Sequence, residues 1–214
     1  GDGLFIVLNT NNYNVAEHQK AIEEAVASDP DAAWRIVTMH QDIYGTGLDH
    51  SDTDGMILRT QLTPIFDAND IDVVLQGHDH TYSRSKMLYG DGQTHGKYEF
   101  SLTEDGSDYD WEHATNTETG EKIQLNPEEG DEEATAALDA FQQDNLCYTI
   151  EDVEGNSVTD PDGILYLTAN SASGSKFYEL IAQQQDYIAA RSQNWLPSYS
   201  IITLTKDTFS VDAY

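Results

Sequence analysis

The stretch Ile71-Asp72-Val73-Val74-Leu75-Gln76-Gly77-His78-Asp79-His80 decides how this chain is read. Its first five residues form an apolar run of strand length, the pattern of a strand covered on both faces. Gln76 and Gly77 end the run, and two histidines follow with one residue between them. In an extended segment, residues two apart point to the same side, so His78 and His80 can reach one centre or two adjacent ones. Gly77 lets the chain turn sharply where a side chain would obstruct the approach.

Toward the N-terminus, residues Trp34 to Met39 read as a second buried strand that delivers His40 at its C-terminal end. Leu4 to Leu8 (LFIVL) reads as a third. Between them, Val15 to Ser28 predicts a helix with Ala16, Ile22, Ala25 and Val26 on a buried face, stopped by Asp29-Pro30-Asp31. Met56 to Ala68 predicts another helix, kinked by Pro64. Strand–helix–strand–helix–strand order argues for an α/β layered fold. In such a fold, ligand-binding residues collect at the C-terminal ends of strands. His40, His78 and His80 all lie there. A single histidine after a strand is more often a surface or capping residue, and the His-x-His pair shifts that balance. Three imidazoles at neighbouring strand ends point to zinc, iron or manganese rather than calcium.

Toward the C-terminus the character changes. Between Glu104 and Asp162 there are nineteen acidic residues and one basic residue, Lys122. The stretch is turn-rich, with a helix expected within Glu129 to Asn145, and reads as a surface insertion with few core contacts, its charges too dense to bury unpaired. Apolar pattern returns at Ile164 to Thr168. A helix is expected from Lys176 to Arg191, then a hairpin of Tyr199 to Thr205 and Thr208 to Val211 around Lys206-Asp207.

The 39 acidic residues face 10 basic ones, a formal charge of −29. Such a surface repels nucleic-acid phosphates, so no nucleic-acid partner is expected. It either attracts divalent cations or keeps the chain soluble. The single cysteine, Cys147, offers neither an internal disulfide nor a structural zinc cluster. No apolar run of about 18 residues appears, so no membrane span is expected in this chain. Gly1 to Thr10 lack the marks of a signal peptide.

The two histidine blocks carry a resemblance. Val37-Thr38-Met39-His40 and Gly77-His78-Asp79-His80 match the V-x-x-H and G-H-x-H blocks of calcineurin-like metallophosphoesterases. The continuation Thr81-Tyr82-Ser83-Arg84 resembles the purple acid phosphatase branch, whose block often runs G-H-x-H-x-Y-x-R. Leu4 to Asn11 and the positions of Glu17, Gln19 and Trp34 agree with that branch. The resemblance covers residues 3–89 well and 163–214 loosely.

The resemblance implies an α/β fold of the calcineurin-like metallophosphoesterase sandwich, two β-sheets flanked by helices. Residues 1–214 would be its C-terminal portion, with the acidic surface insertion at about 90–162. It implies a hydrolase of phosphate esters using two divalent or trivalent transition-metal ions (Fe, Zn or Mn). His40 and His78 would bind one metal and His80 the other. The branch has substrate-facing histidines nine and ten residues past the V-x-x-H ligand, where this chain holds Asp49 and His50. His50 would then be a catalytic and substrate-binding residue, hydrogen-bonding the phosphate or protonating the leaving oxygen; the other reading is a solvated loop histidine. Tyr82 is the further substrate-binding candidate. The family's early blocks, which supply an Asp, a bridging Asp and a Gly-Asn-His segment, would precede Leu4 and are not in this chain. The expected partners are therefore a phosphate-ester substrate and a missing N-terminal half, on the same protein or a second chain. Residues 1–214 alone are expected to be inactive. The branch also implies a bacterial secreted or cell-surface location. The rival reading is a non-catalytic acidic surface or binding module that keeps the fold.

Overall fold

A computed structural model describes residues 1–48, 53–151, 153 and 155–214. The chain opens as the apolar pattern dictates: β1 (Gly3–Val7), α1 (Val15–Ser28), β2 (Trp34–Thr38), α2 (Thr53–Ala68) and β3 (Val73–Gln76). Asn14 caps α1, its side chain accepting the N–H groups of Ala16 and Glu17 at 3.1 and 3.3 Å. The remaining elements are β4 (Tyr82–Tyr89), β5 (Tyr98–Glu99), β6 (His113–Asn116), β7 (Lys122–Gln124), α3 (Glu132–Asp144), β8 (Thr149–Glu151), β9 (Ile164–Ala169), β10 (Ile188–Ser192), β11 (Ser200–Thr205) and β12 (Thr208–Ala213). No helix among the described residues is long and apolar enough to cross a membrane.

Seven strands form the main sheet in the order β1-β2-β3-β9-β4-β10, with β8 also on β4. The first four run parallel, and β4 pairs antiparallel with β9, β10 and β8. Register shows how the alternation of side chains divides the two faces. Ile6, Val37, Val74 and Tyr166 lie side by side across the parallel strands and are all buried in the core beneath the helices. The next row, Phe5, Ile36, Val73 and Leu165, faces the other way. There Ile36 and Val73 are buried, whereas Phe5 and its neighbour Val7 are 52% and 78% exposed. The hairpin β11–β12 covers only part of this second face: Leu204 lies against Gly3, and Phe209 packs on Trp34, whose Nε1 donates to the Thr205 carbonyl at 2.9 Å.

Two expectations fail here. No helix forms over Lys176 to Arg191. The backbone of this segment bonds to the loop after β2 instead of to itself, with Leu48 N–H donating to Glu179 O at 2.7 Å and Ile181 N–H to Thr46 O at 2.9 Å. Its last residues become β10, the edge partner of β4. Tertiary pairing overrides the helix-forming composition. The acidic segment also has more core contacts than its charge predicts. Phe100, Ala114, Ile123, Leu125 and Phe141 are buried in the same core as α1 and α2, while the carboxylates turn outward. β5, β6 and β7 form a three-stranded sheet of their own.

Candidate functional site

His40 and Gly77 follow adjacent parallel strands, and Gly77 N–H donates to His40 O at 3.0 Å. A β-carbon at Gly77 would stand 3.3 Å from that oxygen, so glycine permits the close approach of the two strand ends. His78 then adopts φ 68°, left-handed for a residue with a side chain. Such a conformation costs about 1 kcal/mol or more and persists where surrounding contacts enforce it. It brings His78 Nδ1 to 3.2 Å from His40 Nε2, with ring centroids 5.1 Å apart.

His80 is held separately. Its Nδ1 donates to the Lys176 carbonyl at 2.9 Å, and its ring lies against Tyr178 at 5.0 Å. Because a carbonyl only accepts, that bond requires a proton on Nδ1. Gln193 Nε2 donates to the carbonyls of His80 and Tyr178 at 2.8 and 2.7 Å, locking the two together. Lys176, Tyr178 and Gln193 escape a sequence reading because a helix was expected where two of them lie. Tyr82 opens β4, paired with Ala169 and Ser192 and half-buried. His50 lies outside the described residues.

Beneath the histidines sit two buried carboxyl groups that sequence reading had no signal to assign. Asp42 and Asp79 are each 1% exposed. Burial first, and then the neighbouring Asp79 carboxylate, hold the Asp42 carboxyl well above its usual range, favouring the neutral acid. Asp79 Oδ2 accepts the N–H groups of Thr46, at 2.9 Å, and Gly47. Thr10 and Gln41, both buried, join the end of β1 to the residue after His40, with Thr10 Oγ1 donating to Gln41 Oε1.

The geometry tests a metal centre directly. Two imidazole nitrogens bound to one ion at about 2.0–2.1 Å in tetrahedral geometry stand about 3.3 Å apart. The His40–His78 separation of 3.2 Å matches that edge in length, and as it stands the two rings share a hydrogen bond across it. Among the described residues, however, no group of three or more His, Cys, Asp or Glu side chains is arranged to hold a metal. The described residues therefore do not form a metal centre by themselves.

Comparison with known structures gives the fold. The chain superposes on the purple acid phosphatase PPD1 from yellow lupin (Lupinus luteus) seeds with a TM-score of 0.52 and 13% identity, covering 97% of this chain and 27% of that one. The fold is similar to that of this purple acid phosphatase. No protein-family model matches the chain. It is 32% identical over 81 residues to two Mycobacterium tuberculosis proteins, uncharacterized proteins MT2654 and Rv2577, covering 36% of this chain. The chain spans 15% of the length of these relatives.

Proposed function

We propose that residues 1–214 are the C-terminal portion of a metal-dependent phosphate-ester hydrolase, in which His40 and His78 hold one transition-metal ion and His80 holds a second. The observation that carries this reading is the 3.2 Å approach of His40 Nε2 and His78 Nδ1 at the ends of adjacent parallel strands, in a fold similar to that of a purple acid phosphatase. Two such ions (Fe, Zn or Mn), when bound, neutralise phosphoryl charge and supply hydroxide near neutral pH. His50 is assigned to the phosphate or the leaving oxygen, and Tyr82 to the substrate.

Among the described residues no group of three or more His, Cys, Asp or Glu side chains could hold a metal. The Asp, the bridging Asp and the Asn–His pair are therefore assigned to a segment outside residues 1–214, on the same polypeptide or a second chain. The exposed apolar side chains of Phe5 and Val7, beside the hairpin β11–β12, support an additional layer on that face. The acidic segment at about 90–162 is taken as an insertion into this domain, and a secreted or cell-surface location is proposed with it.

Activity of the intact protein tests the reading. With added manganese or zinc it should hydrolyse a generic aryl phosphate, and residues 1–214 alone should give no turnover above background. His78→Ala should remove both turnover and bound metal, and His50→Ala should lower kcat about 10²-fold. An intact protein that neither binds metal nor turns over an ester would favour the non-catalytic acidic binding module.

A further inference from the structure

We propose that Asp79 is a positioning residue: its buried carboxylate clasps the loop after His40 to the turn carrying His78 and His80, and so sets the spacing of the His40–His78 pair. In the turn that follows β3 the Asp79 side chain lies inside the protein, 1% exposed. Its Oδ2 accepts two successive backbone N–H groups, those of Thr46 and Gly47. The loop is shaped around this carboxylate. A β-carbon at Gly45 would run into Asp42, and one at Gly47 into Asp79. Two glycines within three residues thus make room for the acid pair.

The same loop is fastened on its far side. Leu48 N–H and Thr46 O bond to Glu179 and Ile181, whose segment leads back to Tyr178 and Lys176 beside His80. Arg191 Nη1 adds a bond to Thr46 Oγ1 at 3.2 Å. On the near side, Gly77 N–H reaches His40 O, and Asp79 N–H turns back to Gly77 O at 2.8 Å. The Asp79 carboxylate therefore closes a circuit of contacts running from His40 through residues 46–48 to the strained turn at His78. Outer-shell groups that fix the orientation of ligating histidines tune a metal site; here the Asp79 carboxylate would do so through the backbone of residues 46 and 47.

This inference rests in part on the two-metal reading, and its test separates the two. In the intact protein, amide hydrogen exchange at Thr46, Gly47 and Gly77 is followed without metal, and zinc affinity is measured by competition with a chromogenic chelator. Asp79→Ala should speed exchange at all three amides about tenfold or more and weaken zinc binding about 10–100-fold. Asp79→Asn, whose amide oxygen still accepts both N–H groups, should restore both. Asp72→Ala is the control, since the Asp72 carboxylate accepts Arg35 N–H at 2.7 Å beside the opposite end of β3. It should lower stability and leave zinc affinity and Gly77 exchange unchanged. Should Asp79→Ala fail to fold, Asp79→Glu, which displaces the carboxylate by one methylene, should give the same changes in smaller measure. Unchanged Gly77 exchange in the Asp79 variants would overturn the proposal, as would equal loss of zinc affinity in the Asp72 and Asp79 variants. A wild-type protein that binds no zinc would defeat the two-metal reading, and Gly77 exchange would then decide the positioning role alone.

Discussion

At Gly45 the chain has no room for a β-carbon, because the carboxyl groups of Asp42 and Asp79 occupy the space. Gly45→Ala must push a buried acid or the loop aside, at a cost of about 1–3 kcal/mol. Urea denaturation of the variant should show that loss as a lowered midpoint. On the surface, Asp110 is placed differently. Its bond from His113 Nδ1, at 3.0 Å, and the contact with Lys122 Nζ, at 2.9 Å, draw its pKa down to about 2. A carboxylate with a depressed folded value stabilises the protein above its unfolded value, and that contribution is lost as pH falls toward the folded one. Asp110→Asn should therefore reduce the drop in melting temperature between about pH 4 and about pH 2. An identical drop in the two proteins would mean that solvent screens the cluster completely.

Among the elements, α2 carries an internal contradiction. Pro64 sits inside it, exposed, with the helix continuing on both sides. Proline removes one backbone donor and crowds the preceding turn, yet Leu58, Leu62 and Phe66 bury completely and hold the helix together. Pro64→Ala restores the donor at a solvent-facing position and should raise stability by about 1–3 kcal/mol. Thermal unfolding followed by circular dichroism would register it as a higher midpoint. The polar strand β4 illustrates the complementary case. Its first half, YSRSK, is mostly polar, but Ser83 and Ser85 are buried because the strand lies between β9 and β10. Ser85 Oγ accepts Tyr166 N–H at 2.9 Å, so a short hydroxyl serves where the pairing shifts register.

For the whole molecule, the acidic segment decides how the core closes. Phe100 packs edge-on to Tyr13 with centroids 4.9 Å apart, and Phe141 to Tyr98 at 4.7 Å. Tyr44 Oη donates to the carbonyls of Leu146 and Cys147 at 3.0 and 3.2 Å, binding the segment's end to the loop beneath the histidines. Phe100→Ala should cost about 3–5 kcal/mol, measured by chemical denaturation. Deleting residues 90–162 would remove that core and β8 together. The deletion variant should lose cooperative unfolding, and a sharp thermal transition close to that of the parent would contradict the packing described above.

By itself the sequence determined the β–α–β–α–β start, strand β9 and the hairpin β11–β12, because apolar runs, caps and turn residues act over a few positions. It also singled out His40, His78 and His80, since strand ends and a His-x-His spacing are local patterns. Tertiary structure alone decided that His40 meets His78 while His80 is held by Lys176 and Tyr178. It decided as well that residues 188–192 become a strand and that Phe100 and Phe141 enter the core. The reason is reach. A buried carboxylate such as Asp79 is satisfied by backbone groups more than thirty residues away, and a polar strand is stabilised by the neighbours that complete its ladder. Neither partner is visible in the few residues from which a local pattern is read.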